Sequence, residues 1–291
     1  GTSIGSYHLN DNNDNFKDIE VMDSTEDAFL RAIEVRKPSL AEQYYLWLEG
    51  SISRGAILDL LLPASVSRNG LDDHYFIYPM FTYRTLDIIG WEWAPVLMRV
   101  TVRYQSRNPS MSLSHGSDRV SELLDRLLKK YSLIDQSIPA RTSSRETSAI
   151  GDLGGRIGSC IDYLDGMEMM AEALSSGMSL EGAGEALSIG ATEAYLKSSY
   201  GNPMDSHLHT GTNARRYLVA MKDVSQKYKV QALITGLTGP ECINGSRVSW
   251  DKTDLDNKVE SLPDRDQNEL LETITESIES QPLADWRGIG V

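Results

Sequence analysis

Along most of the chain, apolar positions recur at spacings of three and four, the period of a helix with one buried face. The first such stretch opens at Ser24, whose hydroxyl can accept the free N–H groups of a helix start, with Asp27 at the acidic third position. Ala28, Phe29, Ala32 and Ile33 form its stripe. Pro38 is expected to end it, because proline has no N–H and crowds the preceding turn. A second helix restarts at Ser39, with Leu40, Tyr44, Trp47 and Leu48 on a shared face. After Gly50 and Ser51, the residues Ile52, Ala56, Ile57, Leu60 and Leu61 mark a third, expected to stop at Pro63. A fourth begins near Asp72, runs through HYFIYPMFTYRTLDII with Pro79 inside it, and closes at Gly90. WEWAPVLMRVTVRY is richer in β-branched residues, but Pro95 suits a first helical turn, which favours helix over strand.

The pattern continues in the second half. Residues 106–116 read as a polar connection, and Val120, Leu123, Leu124, Leu127 and Leu128 predict a helix over 117–131. Residues 136–154 are rich in Ser, Thr, Arg and Gly. We expect them to form a linker or long loop between an aromatic-rich helical lobe, 21–135, and a second lobe, 155–291. Two long helices are predicted over 155–175 and 179–198, separated at Gly177 and capped by Ser179. Two more are predicted near 210–222 and 226–236, then turns over 237–263 and a very acidic helix near 264–280. No convincing alternating strand and no fixed-period repeat interrupts this. The expectation is an all-α, multi-helix bundle or orthogonal architecture, as one large domain or two helical lobes.

Composition narrows the function classes. The 291 residues are enough for an ample core. Acidic residues outnumber basic ones, 42 to 28, for a formal net charge of -14. That charge repels phosphate backbones, which argues against a general nucleic-acid partner. Cys160 and Cys242 belong to no CxxC pair, so neither a disulfide framework nor a cysteine zinc site is expected, and a cytoplasmic, reduced setting is the simpler expectation. No apolar run is long enough to span a bilayer and no signal peptide is visible, so a membrane partner is not expected. The polar, Asn- and Asp-rich residues 1–20 read as a flexible tail.

Several stretches could carry chemistry. MDSHLHTGTN, residues 204–213, looks like the metal-binding opening of an amidohydrolase. It lacks the preceding apolar strand, and no histidine follows it, so a metal-hydrolase barrel is not expected. What is left is a helix entrance, with Asp205, Ser206 or Thr210 as cap and His207 and His209 near the first turn, where a group titrating near neutrality can act as acid or base. Ten aromatic residues fall between Tyr44 and Trp93, with Asp72, Asp73 and His74 among them, the mixture a planar organic ligand needs. Asp165, Glu168 and Glu172 follow Asp162 on one helical face, which reads as a solvated acidic face because no Glu-x-x-His accompanies it. Gly182, Ala186, Gly190 and Ala194 make a stripe of small residues that lets a helix, a second subunit or a ligand approach closely. GDLGGRIGSC lacks the strand and spacing of a phosphate loop and reads as glycines feeding a helix start, with Cys160 as a lone thiol.

Two resemblances follow from these residues. MAEALSSGMSLEGAGEALSIGA resembles a helix pair of the carboxymuconolactone decarboxylase and alkylhydroperoxidase-like families. The redox cysteine pair of those families would precede it, where SCIDYLDG offers only Cys160. The order of an aromatic-rich helical half, a helix pair and then HLHTGTNARRYL is similar to questin oxidase-like proteins, through His209, Thr212 and the Ala214–Arg215 pair. That resemblance implies a helical fold and oxidative chemistry on polycyclic aromatic substrates.

Two functions are carried forward. One is an oxidoreductase acting on a small aromatic organic molecule, with His207, His209 and His74 as catalytic candidates and Tyr44, Trp47, Tyr75, Tyr78 and Arg215 as ligand-binding candidates. The other is a non-enzymatic ligand-binding or homo-oligomeric scaffold protein, a homodimer packed through Gly182, Ala186, Gly190 and Ala194. No metal ligand set is expected, and the sequence names no cofactor.

Overall fold

The computed structural model describes residues 24–67, 73–107, 117–160, 163–196 and 206–236, together with 268, 269 and 272. Eleven α-helices lie within the main segments, and no strand occurs among the described residues. They are α1 (Thr25–Glu34), α2 (Pro38–Leu48), α3 (Arg54–Ser67), α4 (His74–Ile89), α5 (Ala94–Ser106), α6 (Ser117–Lys130), α7 (Thr147–Gly158), α8 (Tyr163–Ser175), α9 (Leu180–Leu196), α10 (Ser206–Ala220) and α11 (Gln226–Ile234). The all-α expectation holds. None of these helices is long and apolar enough to cross a membrane.

Helix ends follow local chemistry, with two corrections at prolines. Ser24 caps α1 as expected, accepting the Asp27 N–H at 3.1 Å. Pro38 does not end α1. It is the first residue of α2, where a missing N–H is harmless. The actual stop lies earlier, at Arg36 in the left-handed region, where the Lys37 N–H reaches the Ala32 carbonyl. Nor does Pro63 stop α3, which runs on to Ser67. A proline inside a helix costs about 3 kcal/mol. Leu58, Leu61, Leu62, Ala64 and Val66 are all buried around it, and burying one large aliphatic side chain contributes about 1.5–3 kcal/mol, so packing wins.

Two large apolar clusters form most of the core, with a small third one of Ala191, Ala194 and Leu208. The first joins α1 to α5 and takes in Ala214 and Leu218 of α10 and Ala232 of α11. The second joins α6 to α9 with Val66 of α3 and Val230, Leu233 and Ile234 of α11. Helix α11 therefore supplies buried residues to both. Burial keeps the phenols of Tyr45 and Tyr83 protonated by pushing their pKa values up, and each donates to a backbone carbonyl, of Ala94 and Arg54 respectively.

Residues 136–154 differ from the linker expectation. Helix α7 occupies this stretch from Thr147 onward, burying Ile150 and Leu153. Ahead of it the chain is tied to the start of α9: the carbonyls of Pro139 and Ala140 accept the N–H groups of Leu180 and Glu181. The Glu146 carboxylate accepts the N–H and hydroxyl of both Ser143 and Ser179. Burial alone would raise the Glu146 carboxyl, but these four bonds outweigh it and hold it below the ordinary range. The N–H groups at the start of α9 are thus shared between Ser179, whose hydroxyl caps the helix as expected by accepting the Gly182 N–H at 3.0 Å, and the segment read as a linker. The helix predicted over 155–175 is correspondingly two helices, α7 ending at Gly158 and α8 starting at Tyr163.

The small-residue stripe has its partner inside the chain. The glycines of GDLGGRIGSC lie within α7, not ahead of a helix, and Gly154 and Gly158 face α9. A Cβ on Gly154 would fall 2.6 Å from the Ile189 Cβ, and one on Gly158 would fall 2.8 Å from the Gly190 carbonyl oxygen. Gly182 sits under Glu146 and Ile150, and Ala194 packs with Ala191 against Leu208 of α10. Gly182, Ala186, Gly190 and Ala194 are all buried in this way, so a homo-oligomer packed through them is corrected to an internal helix contact. The tail over 1–20, most of 106–116, Asp72, Asp162, Cys242 and the turns over 237–263 lie outside the described residues. Of the acidic helix near 264–280, Asn268, Glu269 and Glu272 are helical and exposed.

Candidate functional site

Helix α10 begins at Ser206, which places His207 and His209 in its first turn, as expected. Thr210 is not the cap. Its hydroxyl lies inside the helix and donates to the His207 carbonyl at 3.3 Å. Residues two apart on a helix point to different sides, and the two histidines separate accordingly. The ring of His207 meets His74, the first residue of α4, at 5.5 Å between centroids. His209 instead meets Tyr195 of α9 edge to face, at 5.2 Å between centroids.

A run of rings extends from the His74–His207 pair. Tyr78, one turn along α4, lies 5.5 Å from His74 and 4.4 Å from Tyr104 of α5. Tyr75 meets the same Tyr104 at 5.1 Å, and the Arg107 guanidinium sits 4.0 Å above the Tyr104 ring. Exposure along this run peaks at Tyr78. Tyr75 and Tyr104 are buried, the two histidines are half-buried, and Tyr78 is 41% exposed. Tyr104 and Arg107 went unnoticed in the sequence because α5 reads as a core helix and its contacts come from α4, far away in the chain.

Arg215 has a different role from the ligand-binding one expected of it. Its side chain is 1% exposed, and it lies 4.5 Å from the ring of Phe76. Guanidinium has five N–H donors, and all five are used. Nε donates to the Ala232 carbonyl at 2.7 Å. One terminal nitrogen donates to Asp73 at 2.5 Å and to Gly211 at 3.0 Å, and the other to Asp73 at 3.0 Å and to Thr235 at 3.0 Å. The clamp joins the start of α4 to α10 and to the last carbonyls of α11, where a cation is favoured. Asp73 itself adopts the left-handed region at φ 56°. Its carbonyl accepts the Phe76 and Ile77 N–H groups at the start of α4, while its carboxylate holds Arg215. The clamp thereby sets His74 and His207 side by side.

The other candidates fall elsewhere. Tyr44 and Trp47 lie on α2, edge to face at 5.6 Å, and α2 packs on α1 and α5. Trp47 is 59% exposed, so the face expected to carry it is corrected to Leu40, Ala41, Tyr45 and Leu48. Glu42 is buried on that same face because Arg99 and Arg103 of α5, one turn apart, both pair with it. On the acidic face of α8, Glu168 is held below its ordinary range first by Lys130 and then by Tyr131, while Asp165 and Glu172 are exposed. Cys160 is buried beside the Met169 sulfur. Among the described residues, no three His, Cys, Asp or Glu side chains gather as a metal site would need. Of the residues behind the questin oxidase resemblance, Thr212, Ala214 and Arg215 are buried and His209 is exposed. Compared with known proteins, no family model, no curated protein and no solved structure matches the chain.

Proposed function

We propose that the rings of His74, His207, Tyr78 and Tyr104 form the site of an oxidoreductase acting on a small aromatic organic molecule. The observation that carries this reading is the pairing of His74 with His207 at 5.5 Å, beside a tyrosine that is 41% exposed. Tyr78 offers a ring face to a planar ligand. The two histidines supply imidazole nitrogens, the side-chain groups that most often serve as general acid or base, as removal of a phenolic proton requires. The oxidative reaction class comes from the resemblance of HLHTGTNARRYL to questin oxidase-like proteins.

The test is NMR of the histidine ring protons in the full chain, titrated with a panel of hydroxylated bicyclic and tricyclic aromatics. Saturable binding should shift His74 and His207 together. His74→Gln and His207→Gln should each weaken binding about tenfold, and Trp47→Ala should leave it unchanged. Oxidation of a bound phenol, followed by its absorbance with dioxygen or a redox dye supplied as the electron acceptor, supports the enzyme. Binding without turnover assigns the site to a ligand-binding protein. Binding that shifts neither histidine removes the site altogether.

A further inference from the structure

A concavity lies further along α10, lined from that helix by Asn213, Arg216, Val219 and Ala220. It has a volume of about 720 Å³, the size of an ordinary small-molecule site. Its charge runs against that of the chain. Four cations line it, Arg141, Arg216, Lys222 and Lys229, against one carboxylate, Glu181, in a protein whose formal net charge is -14. Glu181 is already committed. One oxygen accepts the Thr142 N–H at 2.9 Å and the other pairs with Arg141 at 3.1 Å. Arg216 also feels Glu181, and Lys229 feels Asp59 and Asp223 beyond the lining, but within the lining itself cations outnumber carboxylates four to one.

Two of these cations, Lys229 and Arg216, are held in place by the fold. Lys229 is only 8% exposed, and its ammonium donates to the carbonyls of Val219 and Met221. An ammonium has three donors, so one is left beyond these two bonds. Burial lowers the pKa of Lys229, and a bound anion would oppose that effect. Arg216 lies across α9 where Gly184 has no side chain; a Cβ there would come within 3.2 Å of the Arg216 stem. One of its donors is fixed by the Ser188 hydroxyl at 3.3 Å, leaving four. Val219, Ala220 and Met221 complete the lining with apolar surface.

We propose that this groove binds a small organic anion, with a carboxylate or phosphate head on Arg216, Lys222 and Lys229 and an apolar body against Met221. Both heads share the chemistry that matters, a compact oxyanion accepting charge-assisted hydrogen bonds. The proposal is independent of the His74–His207 site.

Calorimetric titration of the full chain with phenyl phosphate and benzoate tests it, with benzyl alcohol as the neutral counterpart. Saturable one-site binding of either anion is expected, displaced by inorganic phosphate or acetate and weakened by added salt. Arg216→Gln with Lys222→Gln should weaken it about tenfold or more. Both side chains are exposed, so this variant should keep the wild-type melting temperature, which is measured alongside. His74→Gln should bind the anion as the wild type does. Equal binding of benzyl alcohol, unchanged binding by a folded double variant, or no saturable binding of either anion would overturn the proposal.

Discussion

Replacing Arg215 by lysine keeps the positive charge and removes the fork. Arg215 makes five hydrogen bonds with its side chain 1% exposed, and its partner Asp73 has a side chain 13% exposed. An ammonium cannot reach the Ala232 and Thr235 carbonyls and both Asp73 oxygens from one point. An ammonium has three donors, so at least two of the five acceptors lose this partner in a site with little water. A hydrogen bond contributes about 0.5–1.5 kcal/mol net, and more when charged, while breaking a buried ion pair costs about 3–5 kcal/mol. Asp73 also loses the two-pronged contact in which each of its oxygens meets a separate guanidinium nitrogen. We expect Arg215→Lys to destabilise the protein by about 3–5 kcal/mol. For a chain of this size that lowers the melting temperature by roughly 6–20 °C. Urea unfolding followed by far-ultraviolet circular dichroism measures it, with Asp73→Asn and the double variant completing a cycle. A loss within about 0.5 kcal/mol of wild type, the range of ordinary surface changes, would refute the clamp. So would strict additivity of the two substitutions, because paired residues must couple.

Three further outcomes follow from the packing and the ionised groups. Gly154→Val should destabilise by about 1–3 kcal/mol or more through overpacking against Ile189, while Gly155→Ala, which meets nothing within 4 Å, should stabilise by up to about 1 kcal/mol; thermal melts that rank them the other way would reject the α7–α9 interface. The buried Thr212 hydroxyl has no hydrogen-bond partner among the described residues, so Thr212→Val should be neutral or about 1 kcal/mol stabilising, and a loss larger than that in urea titration would show that the hydroxyl is used. Glu146 and Glu181 both have carboxyl pKa values below the ordinary 4.5, Glu146 because hydrogen bonds from Ser179 and Ser143 outweigh its burial and Glu181 chiefly through the Thr142 N–H. Their contribution to stability is complete above the unfolded range and is lost as pH falls through the depressed folded values. Glu146→Gln should therefore flatten the acid side of the melting-temperature profile, and an unchanged acid slope would count against the tie between residues 143–146 and α9.

Local signals were legible where one helix carried its own answer. The stripe of α1, its Ser24 cap and the Gly90 and Gly177 stops were all readable, because each depends on neighbours within one turn. The stripe from Gly182 to Ala194 was visible as well, although what it packs against was not. Its partner, Gly154 and Gly158, sat in a stretch whose Ser, Thr and Gly content resembles a linker. The candidate site was half legible. His74 and His207 were both singled out, but grouping His209 with them ignored the turn of the helix between positions two apart. Arg215 looked like a ligand-binding group because its five acceptors come from α4, α10 and α11 and share no sequence motif.

By itself, the sequence determined the helical class, most helix positions and the acidic charge, since these rest on spacing, capping and composition. Only the tertiary structure decided that Pro63 is tolerated, that the small-residue stripe is an internal contact, and that a basic concavity exists on an acidic protein. It also separated His207 from His209 and turned Arg215 into a clamp. The physical reason is common to all of these. Burial and ion pairing depend on which helices meet, and the energy of those meetings exceeds the local preferences that a single stretch of sequence displays.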